Sequence, residues 1–139
     1  MTEEKNTRRI TVSGKRKTAV AKATIKPGKG KILINKIPYE NLDFFKKLTI
    51  EEIIELTKQA IENFDFDINV RVSGGGNEGQ ISAARLAIAR ALLEITKSEK
   101  LKKTFLNYDR NLLVADIRRK EAYKPGDSKA RRKRQKSFR

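Results

Sequence analysis

The sequence predicts an α+β domain with two layers, an antiparallel or mixed sheet carrying helices on one face, followed by an extended basic tail. Three observations lead there. Extended-chain patterns recur in five short segments, three of them within the first 35 residues, and two long segments further on carry apolar residues at helical spacing. The order is strands, helix, strand, helix, with no internal repeat. Beyond residue 117 apolar side chains become too sparse to offset the entropy of ordering a chain.

Each element has its own signal. Residues 8–13 alternate, with Ile10 and Val12 on one side and Arg9 and Thr11 on the other. Residues 18–26 continue the pattern: Ala19, Ala21, Ala23 and Ile25 face one way, Lys22, Thr24 and Lys26 the other. Pro27-Gly28-Lys29-Gly30 marks a turn, after which residues 31–34 resume extended structure. The first 35 residues thus read as an antiparallel sheet with a lysine-rich outer face. Thr49-Ile50-Glu51-Glu52 fits a capping box opening a helix to about Asn63, with Ile50, Ile53, Ile54, Thr57, Ala60, Ile61 and Phe64 on one stripe. Residues 66–73 alternate again, placing Phe66, Ile68, Val70 and Val72 inward. After three glycines, Asn77 and Gln80 suit the start of a helix to about Lys97. Its main stripe runs from Ile81 to Ile95, with Leu86 and Leu93 nearly opposite, so it is expected to be covered on two sides. Ser98 caps a shorter helix to about Asn107, and residues 112–116 read as a last strand. The resulting division is a flexible N-terminus over 1–7, a globular α+β domain over 8–117 and an extended basic arm over 118–139.

Charge narrows the function. The 139 residues carry a net +16, and the last 22 hold eleven Lys/Arg against Glu121 and Asp127, leaving the body basic as well. A polyanion is the partner such a chain suits, nucleic acid before an anionic membrane surface. The absence of cysteine and histidine removes disulfides, thiolate metal sites and the commonest general base. Few aromatics and no tryptophan argue against stacking on single strands. A polar N-terminus and short apolar runs predict a soluble, cytoplasmic protein. No residue is assigned a catalytic role, and no metal or cofactor is expected.

Two places could grip phosphate. Gly74-Gly75-Gly76, with Gln80 beyond, joins a strand to a helix N-terminus, where exposed amides meet a positive dipole. The same glycines could instead serve a tight connection needing positive φ. The loop lacks the Gly-Lys-Ser/Thr ending of a nucleotide-binding P-loop. Ser13-Gly14-Lys15-Arg16-Lys17 reads as a cationic hairpin tip, either solvated or set against a phosphate backbone. Arg85, in the early turns of the long helix, is a further cation near the glycine loop.

Taken together the motifs resemble one family, the ninth protein of the small ribosomal subunit, in its archaeal and eukaryotic branch. The matching stretches run in order: Gly14 to Lys22, Pro27-Gly28-Lys29-Gly30, Ile34-Asn35, Gly74-Gly75-Gly76 with Gly79-Gln80, and Ala84-Arg85 with Ile88-Ala89-Arg90-Ala91-Leu92. They continue through Asp116, Arg118, Glu121, Lys124-Pro125-Gly126 and Lys129-Ala130-Arg131-Arg132 to Lys136-Ser137-Phe138-Arg139. The resemblance implies a left-handed βαβ crossover, where physics alone favours a right-handed one. It also implies a place in the small-subunit head, with ribosomal RNA, P-site tRNA and neighbouring head proteins as partners, and no membrane or small-molecule substrate. Ribosomal RNA would be met by Lys15, Arg16, Lys17, Lys22, Gly74, Gly75, Gly76, Gln80 and Arg85. In the arm, Arg118, Arg119, Lys124, Lys129, Arg131, Arg132, Lys133 and Arg134 would join them. The terminal Lys136, Ser137, Phe138 and Arg139 would touch the tRNA, Arg139 through phosphate. Two other readings stand beside this one: a free-standing RNA chaperone or regulator, and a phosphate-binding small-molecule kinase built on the glycine loop.

Overall fold

The computed structural model describes residues 9–126, 129–132 and 136–138. A five-stranded mixed sheet is formed by β1 (Ile10–Arg16), β2 (Ala19–Pro27), β5 (Phe66–Ser73), β3 (Ile32–Ile34) and β4 (Ile37–Pro38), in that spatial order. The helices are α1 (Phe44–Ala60), α2 (Asn77–Thr96) and α3 (Glu99–Tyr108), with short 3-10 turns at Tyr39–Asn41 and Arg110–Leu112. None of the helices in the described residues is long and apolar enough to cross a membrane.

β1 and β2 form the expected antiparallel hairpin, but β3 does not pair with β2. β5 lies between them, antiparallel to β2 and parallel to β3, so β3–α1–β5 is a crossover between parallel neighbours. The turn after β2 is shaped by β5 rather than by a hairpin partner. Gly28 N–H donates to the Asp65 carbonyl at 2.9 Å, and the Asp67 carboxylate accepts the amides of Lys29 (2.9 Å) and Lys31 (3.1 Å). Those two amides, with Lys26 and Lys31 nearby, hold the Asp67 carboxyl below its ordinary pKa against a smaller opposing effect of burial. A lowered folded pKa stabilises above the ordinary carboxylate range, and that contribution is lost as pH falls through the folded value. Asp67→Asn is therefore expected to lower stability at pH 7 by about 1 kcal/mol, since a neutral acceptor replaces a charged one. The gap to wild type should narrow as thermal melts are taken down towards pH 3.

Asn35 and Lys36 connect β3 to β4, both at positive φ (49° and 68°), as the mirror-image turn of a tight hairpin requires. The Asn35 side chain then continues the β3–β5 ladder: its Oδ1 accepts from Val72 N–H at 2.8 Å and its Nδ2 donates to the Val72 carbonyl at 3.3 Å.

α1 begins earlier than the capping box predicts. Asp43 occupies the N-cap, and Thr49 lies within the helix, its hydroxyl donating to the Phe45 carbonyl at 2.9 Å. The first turn, Phe44 and Phe45, is exposed, so no apolar stripe announces it. The helix also ends sooner, at Ala60. α2 packs on β1, β2 and β5 on one side and on α1 and the Arg110–Leu112 turn on the other. Its Ala83, Ala84, Ala87, Ala89 and Ala91 are fully buried, and Leu86 is buried too, which is the two-sided cover the pattern predicts. Ser98 caps α3 as expected, accepting from Leu101 N–H. No strand forms over 112–116: the Arg110–Leu112 turn is closed by the Asp109 side chain accepting from Asn111 N–H at 2.8 Å, and Leu113 and Val114 continue it by donating their amides to the Arg110 carbonyl.

Candidate nucleic-acid interface

The hairpin tip is sharper than its charge run suggests. Gly14, Lys15 and Arg16 are strand residues, and only Lys17 and Thr18 form the turn, with Lys17 at φ 52°. β1 can reach this far because Gly14 lies directly against α2. Strand alternation then points Lys15 outward, while Arg16 stays part-buried.

Gly74-Gly75-Gly76 packs beside that turn. Gly74 and Gly75 have φ of 73° and 67°, and a Cβ on Gly74 would stand 2.7 Å from the Thr18 carbonyl oxygen. One on Gly75 would stand 2.9 Å from the Ala19 Cβ. Positive φ and close packing on the β1–β2 turn therefore account for these two glycines. Gly76, rather than Asn77, is the N-cap of α2, with a β-region backbone. Gln80 reaches back, its Nε2 donating to the Gly74 carbonyl at 3.1 Å, and so braces the loop instead of capping a free amide. A groove remains between the two turns, lined by Arg16, Lys17, Thr18, Gly75, Gly76 and Ser82 among others. Glu78 also borders it and Arg16 is paired to Asp116, so Lys17 and the open end of α2 are the parts that suit a phosphate oxygen.

The arm leaves from the same corner. Asp116 is the joint: its carboxylate pairs with Arg16 of β1 and is held by Arg118 through Nη2 (2.7 Å), Nε (2.9 Å) and backbone N–H (2.9 Å). Arg118's side chain and backbone amide, followed by Arg16, push the Asp116 carboxyl far below the ordinary range, so it is charged at any cellular pH. Arg118, Arg119 and Lys120 then stand beside Arg16 and Lys17. Asp116→Ala is expected to leave the core folded while releasing residues 118–126 from the hairpin, seen as faster amide exchange there and new protease cleavage after Arg118 or Arg119.

The other predicted contacts are placed differently. Arg85 lines a recess with Lys15, Arg16, Asp116 and Arg118, not with the glycine loop. Its guanidinium lies between Glu52 of α1 (2.8 Å) and Asp109 (3.2 Å), where α2 meets the neighbouring helices. Its charge is met inside the fold, so it is a tie between elements. Arg90 likewise binds backbone, donating to the carbonyls of Leu113 (2.9 Å) and Ser13 (3.1 Å) and fixing the segment after α3 to β1. Lys22 sits on the open face of the sheet, away from the tip. In the arm, Lys124, Lys129, Arg131, Arg132, Lys136, Ser137 and Phe138 are exposed, with a turn closed by Arg132 N–H on the Lys129 carbonyl at 2.8 Å and Arg131 paired to Glu121 at 3.0 Å. Lys120 lies over the Tyr123 ring at 4.5 Å. Lys133, Arg134 and Arg139, and the N-terminal stretch 1–7, lie outside the described residues.

An α+β body whose hairpin tip, glycine loop and arm root gather cations at one corner defines a polyanion-binding protein. The comparisons give the family. The chain matches the model of Ribosomal protein S9/S16 over residues 14–139, and it belongs to that family. It is similar to the small ribosomal subunit protein uS9 of Methanococcus maripaludis strain C7, 47% identical over 129 residues covering 91% of this chain and 95% of that one. It is also similar to uS9 of Methanothrix thermoacetophila, 44% identical over 131 residues, covering 94% and 98%.

Proposed function

We propose that the chain is a structural constituent of the small-subunit head in the cytoplasmic ribosome. In this reading it binds ribosomal RNA through its basic corner and arm, and meets P-site tRNA with the arm's last residues. It performs no catalysis. The observation that carries the reading is the meeting of Arg16, Lys17, Arg118, Arg119 and Lys120 at one corner, with Lys15 beside Arg16 and Arg118, from which the arm departs, in a chain of this family. Arginine forks there and in the arm suit phosphate, keep their charge at cellular pH and can order on an irregular RNA surface. Within the body, Lys15, Lys17 and the amides around Gly75 and Gly76 are the contacts; Gly74, Gln80 and Arg85 shape the surface behind them.

Co-sedimentation tests this against a free-standing RNA chaperone. Expressed at native level with a tag, the chain should travel with small subunits through a high-salt gradient at about one copy each. Recovery in the free fraction, or release at moderate salt, would favour the chaperone.

A further inference from the structure

The open face of the sheet carries a second group of cations that the hairpin tip and arm do not include. Arg9, Lys22, Lys26, Lys31 and Arg71 border a shallow trough across β1, β2, β5 and β3, floored by Thr11, Thr24 and Asn69 with Leu33 at the β3 side. The insertion of β5 beside β2 creates it. That pairing sets Lys22 directly opposite Arg71, and Thr24 opposite Asn69. Like charges facing each other across a strand pair destabilise the free fold. Among the described residues neither Lys22 nor Arg71 has an acidic partner. Among the described residues Asp67 is the one acid of the trough, and it is already taken up by the Lys29 and Lys31 amides and by Lys26 at 3.8 Å. A merely solvated face would be expected to mix both signs.

We propose that this face is a separate docking surface for the sugar–phosphate backbone of RNA, with Lys22 and Arg71 as its central pair. The chemistry of the floor selects the mode. No aromatic ring lies in the trough, so bases cannot stack there as on the sheet of an RNA-recognition domain. Hydroxyls and an amide between the cations suit phosphate and ribose oxygens instead. The Thr11 and Thr24 hydroxyls, 3.1 Å apart, share one hydrogen bond, leaving lone pairs and a rotatable donor for a 2′-hydroxyl. The trough and the hairpin-tip corner together would let the body bind RNA at two places, so that the arm need not supply all of the affinity.

This rests on the chain being a ribosomal-RNA binder, and one titration series separates the two ideas. The full-length wild type, Lys22→Gln/Arg71→Gln and Lys15→Gln/Lys17→Gln are each titrated with protein-free small-subunit ribosomal RNA between about 50 and 200 mM KCl, a range over which phosphate contacts change affinity strongly. Loss of two phosphate contacts on the sheet face should make log Kd against log salt shallower by about 1.4–1.8. The free sheet-face variant should melt no lower than wild type, because a repulsion has been removed. Wild-type binding with an unchanged slope in the sheet-face variant would overturn the docking surface alone. A variant that melts lower and loses affinity equally at both salts would overturn it too. Wild type that fails to bind the RNA would overturn the ribosomal reading with it. If the double change instead abolishes binding to phosphatidylserine vesicles and leaves RNA untouched, the face belongs to a membrane and the proposal is wrong.

Discussion

Gly14→Ala should be among the most damaging single-methyl additions in the body. A Cβ there would stand 2.5 Å from the Ala83 carbonyl oxygen and 2.7 Å from the Ala87 amide nitrogen, both backbone atoms of α2. Neither can swing aside as a side-chain end could, so β1 and α2 must separate. α2 is the element on which β1, β2 and β5 all pack, and its fully buried alanines leave no slack to absorb the shift. Overpacking of this kind costs about 1–3 kcal/mol, which for a chain of this size lowers the thermal midpoint by very roughly 4 °C per kcal/mol. The reciprocal control is Gly76→Ala, where an added Cβ meets nothing within 4 Å. A Gly14 variant melting no lower than the Gly76 variant would contradict the close approach.

Deleting residues 135–139 should have the largest functional effect at the least structural cost. Among the described residues, the Asp116 clamp ties the arm to the body well before this segment, and the Arg131–Glu121 pair joins two residues of the arm itself. The fold and entry into subunits should survive. Affinity of the assembled small subunit for P-site tRNA should drop about tenfold or more, because a charge-assisted contact is worth on the order of 1.5–3 kcal/mol. Unchanged tRNA affinity in subunits that contain the shortened chain would remove the tRNA role and leave the RNA-binding body intact.

How much of this was legible in the sequence depends on whether the signal was local. β5 matches its alternating stretch residue for residue because one face is buried and no other pattern competes. α2's double cover could be read from Leu86 and Leu93 opposite the main stripe, and Ser98 is a cap by position and in fact. The start of α1 was obscured because Thr49 imitates a cap while the true first turn carries exposed phenylalanines. Strand order is non-local: nothing within residues 27–31 says that Asp65 and Asp67, some forty positions on, will occupy the turn's amides. The same gap hid half of the sheet-face trough. Lys22 and Lys26 declared themselves by alternation, but Arg71 joins them only once β5 is seen to pair with β2. Arg85's ion pairs are hidden for the converse reason: its closeness to the glycine loop in sequence says nothing of Glu52 and Asp109, which reach it from other elements.

The most direct measurement is site-specific crosslinking inside assembled small subunits, with a photoreactive residue placed at Lys17 in one chain and at Phe138 in another. The expected result is ribosomal RNA crosslinked at position 17 whether or not tRNA is bound, and tRNA crosslinked at position 138 only when the P site is filled. Crosslinks from position 17 to protein alone, together with a pattern at position 138 indifferent to tRNA, would contradict both the basic corner and the destination of the arm.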